Sequence, residues 1–186
     1  MKTTVHTLDS APDASRPLLA KSVEAFGRLP SLHGVMAGSP GLLEGYQTLH
    51  RLAIEGTAFD PTERTVVWMA VNVRHACHYC VPAHTAIAHR EKIDPVVIDA
   101  LRDESPLPEP RLEALRRFTL AVVETRGRPS AQEVAAFEAA GYGERAALDV
   151  VLVVAQKVMS NYVNSMFDTP TDKAFERYLW EPARAA

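Results

Sequence analysis

Cysteine is almost missing from this chain: 186 residues contain two, three positions apart. A bridge between thiols so close would remove little entropy from the unfolded chain and would be a poor staple. In a reducing compartment such a pair reads instead as redox-active or metal-binding. An excess of one charge sign is missing too. Lys and Arg number 20 against 23 Asp and Glu, interspersed, for a net charge of -3. Nucleic acid or an anionic membrane would call for a basic patch, so neither is expected as a partner. The longest apolar run, Val150 to Ala155, falls far short of the roughly 20 residues a bilayer span needs. The first 15 residues are polar, include Asp9, Pro12 and Asp13, and lack the apolar region of a secretory signal. A cytoplasmic location is the resulting expectation. Asn-Gly or Asp-Gly turns between alternating strands are also lacking, so no hairpin is expected.

What is present is helical pattern. With 47% apolar and 23% charged residues, the chain has the composition of a soluble globular protein able to bury a substantial core. Residues 1–15 read as a flexible arm, and residues 16–186 as a single all-helical domain. Helices are expected near 16–28, 32–37 and 40–54. Asp60 caps the next, with Pro61 in its first turn and Glu63 completing a capping box. Another starts around Cys77–Cys80 and ends near Arg90. Asp94-Pro95 opens a short one to about Asp103, and Leu112, Leu115, Phe118 and Val122 mark one to about Thr125, closed by Gly127 and Pro129. Ser130 with Glu133 is a second capping box, for a helix ending near Gly141. The last runs from about Glu144 to Phe167. Its valine-rich stretch could suit a strand, but Leu148, Val151, Ala155, Val158, Tyr162, Val163 and Met166 recur at three- and four-residue steps, which favours helix.

The chemistry lies in Cys77, Cys80 and His84. At about 100° per residue, a helix would bring these three within roughly 60° of one another, and Cys80 and His84 would be (i, i+4) neighbours. A thiolate, not a thiol, attacks a peroxide or a disulfide. The N–H groups and partial positive charge of a helix N-terminus favour that thiolate, and an imidazole beside it can take or return a proton. The second cysteine can then resolve a sulfenic acid or mixed disulfide. Pro82 fits the first turn of such a helix. Other readings of the same residues stand beside this one. Free cysteines can be small core residues. His75, Cys77, His78, Cys80 and His84 offer enough ligand types for zinc, although a structural zinc draws ligand pairs from separate segments. Haem attachment is excluded because Val81 follows Cys80. His75 and His78 point away from the thiol stripe if the segment is helical. His6, His33, His50 and His89 have no evident partner. Tyr79 reads as packing, and Trp68 and Met69 as core.

Residues 61–84, PTERTVVWMAVNVRHACHYCVPAH, resemble the core of the alkylhydroperoxidase D-like, or carboxymuconolactone decarboxylase, superfamily. Its redox members carry Cys-x-x-Cys-x-x-x-His at a helix start, after a helix opening with Pro-x-Glu-Arg. Residues 161–172, NYVNSMFDTPTD, resemble the C-terminal part of peroxidase-related members. The likeness is best over about 57–91, the redox core, and weaker over 146–175. It implies an all-α helical bundle, here with an N-terminal helical extension, whose subunits associate as a homo-oligomer. It also implies reduction of a hydroperoxide substrate, with Cys80 as the attacking thiol beside His84 and Cys77 as the resolving thiol. A dithiol or thioredoxin-like protein would act as reductant, and no bound cofactor is implied. The peroxidase members place a relay glutamate twelve residues before the first cysteine. Here that residue is Thr65, and Glu63 lies roughly 200° around the helix from it. The alternatives are the decarboxylase branch, which needs no second thiol, and a non-enzymatic helical oligomer that senses oxidants or binds metal.

Overall fold

The computed structural model describes residues 3–182, and no strand occurs among them. Nine α-helices follow one another: α1 Arg16–Phe26, α2 Ser31–Met36, α3 Pro40–Glu55, α4 Pro61–Arg74, α5 Cys80–Arg90, α6 Pro95–Arg102, α7 Pro110–Thr125, α8 Ala131–Ala139 and α9 Glu144–Phe167. Short 3-10 segments stand at Asp13–Ser15 and Lys173–Tyr178. The helix starts follow local chemistry. Asp60 accepts from the Glu63 N–H while the Glu63 side chain accepts from the Asp60 N–H, and Ser130 and Glu133 repeat the box. Each box satisfies N–H groups that the helix itself leaves unpaired. Glu63 also receives Arg111 and the Tyr142 hydroxyl, at 3.0 Å, which ties the start of α4 to the far side of the bundle.

Helix α4 is central, buried continuously from Glu63 to Val73. It packs against α7, α9 and α5. Val66, Val67 and Met69 meet Leu115 and Phe118 of α7, Phe137 of α8 and Val150 and Val153 of α9 in the larger apolar core. Phe118, Phe137 and Tyr142 stack within it, with centroids 4.0 and 4.9 Å apart. A second, smaller core gathers Leu19, Leu32, Met36, Leu43, Tyr46 and Val163 around Cys77, Tyr79 and Cys80. The dithiol therefore sits inside the fold, between α2, α3, α5 and α9.

Two features differ from the sequence-based expectations. From residue 3 onward, the segment expected as a flexible arm is mostly exposed but is anchored to the body at several points. The His6 N–H donates to Gly34 O at 3.0 Å, the Ser15 hydroxyl donates to Ala37 O at 2.7 Å, and Ala11 is buried. Gly34 allows this approach, because a Cβ there would stand 2.7 Å from Val5 Cγ1 and 2.8 Å from His6 O. The second concerns α9. It is helical throughout, as its periodicity suggests, but Leu148, Val151, Tyr162 and Met166 of the recurring stripe are exposed. The buried face instead holds Gln156, Lys157, Ser160, Asn161 and Asn164 beside Val150, Val153 and Val163. By length and composition α9 could cross a membrane, yet half of its most apolar window is buried in the bundle. Its inward polar face builds the site.

Candidate active site

The chain leaves α4 through a tight turn at His75 and Ala76. Ala76 adopts φ +48°, in the left-handed region, and its N–H and that of Cys77 return to Val73 O and Asn72 O. A non-glycine residue there is a local strain held by its surroundings. The turn delivers Cys77 just before α5 rather than on it. Helix α5 begins at Cys80, so the single helical stripe expected for three residues holds only for Cys80 and His84. The outcome for the sulfurs is nevertheless close. The Cys80 N–H donates to Cys77 Sγ at 3.2 Å, so the first thiol caps the helix whose first residue is the second. Asn164 Nδ2 on α9 reaches both sulfurs, at 3.1 Å from Cys80 and 3.7 Å from Cys77. The Ser160 hydroxyl lies 3.9 Å from Cys80 Sγ.

His84 lies one turn along α5 and lines the same cavity as Cys80. Its Nε2 stands 2.8 Å from Lys157 Nζ, the amine donating and the ring nitrogen accepting. Trp68 meets the His84 ring edge-on at 4.8 Å, and Gln156 holds Trp68 through an indole hydrogen bond of 3.0 Å. The cavity measures about 210 Å³. Leu32, Tyr46, Tyr79, Ala83, Ile87 and Phe175 give it an apolar wall, His33, His50, His84 and Lys157 its buried polar groups, and Arg28 and Arg90 also line it. Among the described residues, no carboxylate lines it.

The 3-10 segment Lys173–Tyr178 covers this cavity. Asp172 accepts from the Ser31 N–H at 3.1 Å and from the Ser31 hydroxyl at 2.7 Å. It also accepts from the Tyr79 hydroxyl at 2.5 Å and faces Arg28 at 3.5 Å. Tyr79, expected only to pack, is therefore also the hydrogen-bonded post on which the C-terminal cover is fastened. Arg102 adds bonds to the carbonyls of Tyr178 and Leu179.

The electrostatics separate the two thiols. Burial pushes Cys80 up. The hydrogen bond from Cys77, the nearby Lys157 charge, and the Asn164 and Ser160 contacts outweigh it and bring Cys80 below the ordinary thiol value. Cys77 is pushed well above that value, because its S–H is held by Cys80 and is buried. One sulfur is poised as thiolate and its neighbour as thiol. Burial and the Lys157 charge hold His84 well below its usual range, so the ring is neutral.

His33 and His50, left without partners by sequence, belong to the same wall. His33 Nδ1 meets the Ser22 hydroxyl at 2.8 Å, and His50 stacks on Trp68 at 5.8 Å. Burial lowers His33 to about 4 and His50 to about 3. Unfolding returns both to about 6.5. The unfolded chain then binds more protons, so this contribution is complete above about pH 6.5 and is lost as pH falls toward the folded values. Thermal melts should show falling stability from pH 7 to pH 5, and His50→Phe, which keeps a stacking ring, should flatten the slope. Equal slopes in the two proteins would contradict the assignment.

His75 and His78 stand off the thiols, as expected. His75 Nδ1 is 3.2 Å from Asn161 Nδ2, and His78 Nε2 is 3.0 Å from Thr169 O. Among the described residues, no three His, Cys, Asp or Glu side chains are grouped to hold a metal ion. Thr65 is buried and its hydroxyl has no protein partner. Glu63 is occupied by its capping box and Arg111. Sequence reasoning missed Lys157, Ser160 and Asn164. Their signal was a polar set at steps of three and four inside an otherwise apolar helix.

Residues 40–121 match the carboxymuconolactone decarboxylase family. No curated protein matches the chain. Solved structures share its fold over nearly their whole length. One is an uncharacterized peroxidase-related protein from Ralstonia eutropha JMP134 with an alkylhydroperoxidase AhpD core, at TM-score 0.80 and 22% identity over 92% of each chain. A peroxidase-related protein from Silicibacter sp. TM1040 gives 0.77 and 19%, over 94% of this chain and 95% of that one. A cysteine-to-alanine variant of the debrominase Bmp8, in complex with 2,3,4-tribromopyrrole, gives 0.78 and 17%, over 95% and 94%. Identities this low speak for the fold alone. The match to the carboxymuconolactone decarboxylase family runs from α3 into α7, the dithiol segment included, and the solved structures show that the chain adopts the alkylhydroperoxidase D-like fold.

Proposed function

We propose that the protein is a thiol-dependent hydroperoxide reductase in which Cys80 attacks, Cys77 resolves and His84 serves the proton transfers. The observation that carries this reading is the sulfur pair itself. One amide nitrogen reaches both sulfurs, and one sulfur accepts the N–H of the other's residue, at the wall of an apolar cavity. Cys80 thiolate attacks the terminal peroxide oxygen; an S–O bond forms, the O–O bond breaks, and the alkoxide leaves as alcohol after protonation. Cys77 then attacks the sulfenic sulfur, forming the disulfide and releasing water. A small dithiol or a thioredoxin-like protein returns both thiols. All the groups used belong to one chain, so the reading does not depend on the homo-oligomer that the resemblance implies.

Steady-state turnover of cumene hydroperoxide with dithiothreitol tests it. The wild type should oxidise the dithiol in step with peroxide loss. Cys77→Ser should consume one peroxide per chain and stop as a sulfenic acid that dimedone traps. No acceleration over buffer would reject the reading. A second reading, reductive removal of halogen from a small aromatic ring, is favoured by the aromatic wall of Tyr46, Tyr79 and Phe175. Halide release from a bromopyrrole with dithiothreitol, without peroxide turnover, would select it.

A further inference from the structure

We propose that Lys157 is a positioning residue of the site: it supplies the positive charge that holds Cys80 as thiolate, and through His84 it replaces the proton that the departing group takes. The inference rests on the dithiol reading for its second half only. Its ground is the placement of the amine. Lys157 sits in the middle of α9, 1% exposed, and no salt bridge to it exists among the described residues. A buried ammonium needs an anion or must lose its proton.

The groups around it on every packed element are few. Helix α5 and the turn before it present His84, Cys80 and Cys77, α3 presents Tyr46 and His50, α2 presents His33 beyond them, and the further cations are Arg64 of α4 beside His50 and Arg28 and Arg90 on the cavity wall, none of which can neutralise an ammonium. The histidines carry no negative charge in any form they adopt here. Tyr46 is buried and held protonated. A thiol is the remaining acid. Moving the Cys80 proton to the Lys157 amine gives each buried charge the other as its partner, and the attraction of the cysteines works against the burial that lowers Lys157. The same face of α9 carries Ser160 and Asn164, three and seven residues on from Lys157, and the Asn164 amide already reaches Cys80 Sγ. His84 accepts from Lys157, which fixes the amine on the cavity side. The first helical position of Cys80 adds the partial positive charge of α5.

The proton count closes. In the resting site Cys80 is thiolate and Lys157 ammonium. Attack on the hydroperoxide leaves sulfenic acid and alkoxide; His84 hands the alkoxide a proton and takes one in its place from the Lys157 ammonium. The neutral amine then takes the Cys77 proton, Cys77 attacks, and the hydroxide that leaves recovers that proton as water. Reduction of the disulfide by the external dithiol restores two thiols, and the Cys80 proton returns to Lys157.

The test needs no peroxide. In the reduced full-length protein, alkylation of Cys80 by iodoacetamide is followed against pH by peptide mass spectrometry, in wild type, Lys157→Met and Lys157→Arg. The wild-type midpoint should lie below the ordinary thiol value. Lys157→Met should raise it by at least one pH unit, about a tenfold loss of thiolate at pH 7, while Lys157→Arg keeps it near wild type. Lys157→Met should melt no lower than wild type, since methionine fills the space without a buried charge; a merely structural lysine would show the reverse. An unmoved midpoint in Lys157→Met overturns the proposal. Should that variant not fold, thiolate absorbance near 240 nm at pH 7 decides, present in wild type and lost in Cys80→Ser; its absence from wild type overturns the proposal equally. A low midpoint without peroxide turnover would sink the hydroperoxide reading and leave Lys157 in place.

Discussion

Cys80→Ser should abolish hydroperoxide-driven dithiol oxidation, by about a thousandfold or more, while leaving the fold intact. The exchange swaps sulfur for oxygen in a space already supplied with hydrogen-bond partners, Asn164 Nδ2 and the Ser160 hydroxyl. Stability should therefore move by no more than about 1 kcal/mol. Reactivity has no such substitute, because a serine hydroxyl stays protonated under conditions that ionise a thiol and is a weak nucleophile unless activated. The remaining Cys77 is the poorer thiol, raised by its bond to Cys80 and by burial. Peroxide consumption by Cys80→Ser at more than a few per cent of the wild-type rate, in protein of normal melting temperature, would move the attacking role to Cys77.

The largest effect on stability is expected from Trp68→Ala, about 3–5 kcal/mol of destabilisation by thermal or urea unfolding. Trp68 is 1% exposed at the middle of α4. Its loss opens a cavity in the larger core and leaves Gln156 Oε1 without its indole donor. A buried acceptor left unpaired adds its own desolvation cost. The same ring is the wall against which His50 stacks and His84 meets edge-on. The variant should therefore also lose the fixed His84–Lys157 contact, and peroxide turnover measured well below its melting temperature should fall. Trp68→Phe should recover most of the stability and part of the turnover. A loss under 1 kcal/mol for the alanine variant would contradict the burial described.

The sequence shows most clearly what is decided locally. Asp60, Pro61 and Glu63 mark the start of α4, and Ser130 and Glu133 that of α8, because caps act within one turn. Cys80 and His84 could be read as a pair for the same reason, since four-residue spacing puts them on one face of α5, but Cys77 reaches Cys80 through the turn at Ala76 rather than by helical spacing. What sequence could not supply depends on packing across the fold. Most of the apolar stripe that identified α9 as a helix, Leu148, Val151, Tyr162 and Met166, proved to be exposed, and the site took the polar side, with Lys157 brought to His84 from 73 residues away. Tyr79 looked like packing because its partner Asp172 lies 93 residues on. The arm looked loose because its anchor, the close approach at Gly34, belongs to another segment. That Thr65 stands where the resemblance would place a relay glutamate was visible at once; the buried amine of Lys157 was not.

The most direct measurement is the mass of the peptide holding Cys77 and Cys80, taken from reduced protein before and after one equivalent of hydroperoxide and again after a dithiol. An intramolecular disulfide predicts loss of two hydrogens, about 2 Da, within that peptide, and full recovery on reduction. An unchanged mass, or oxygen added irreversibly to either sulfur, would contradict a working dithiol.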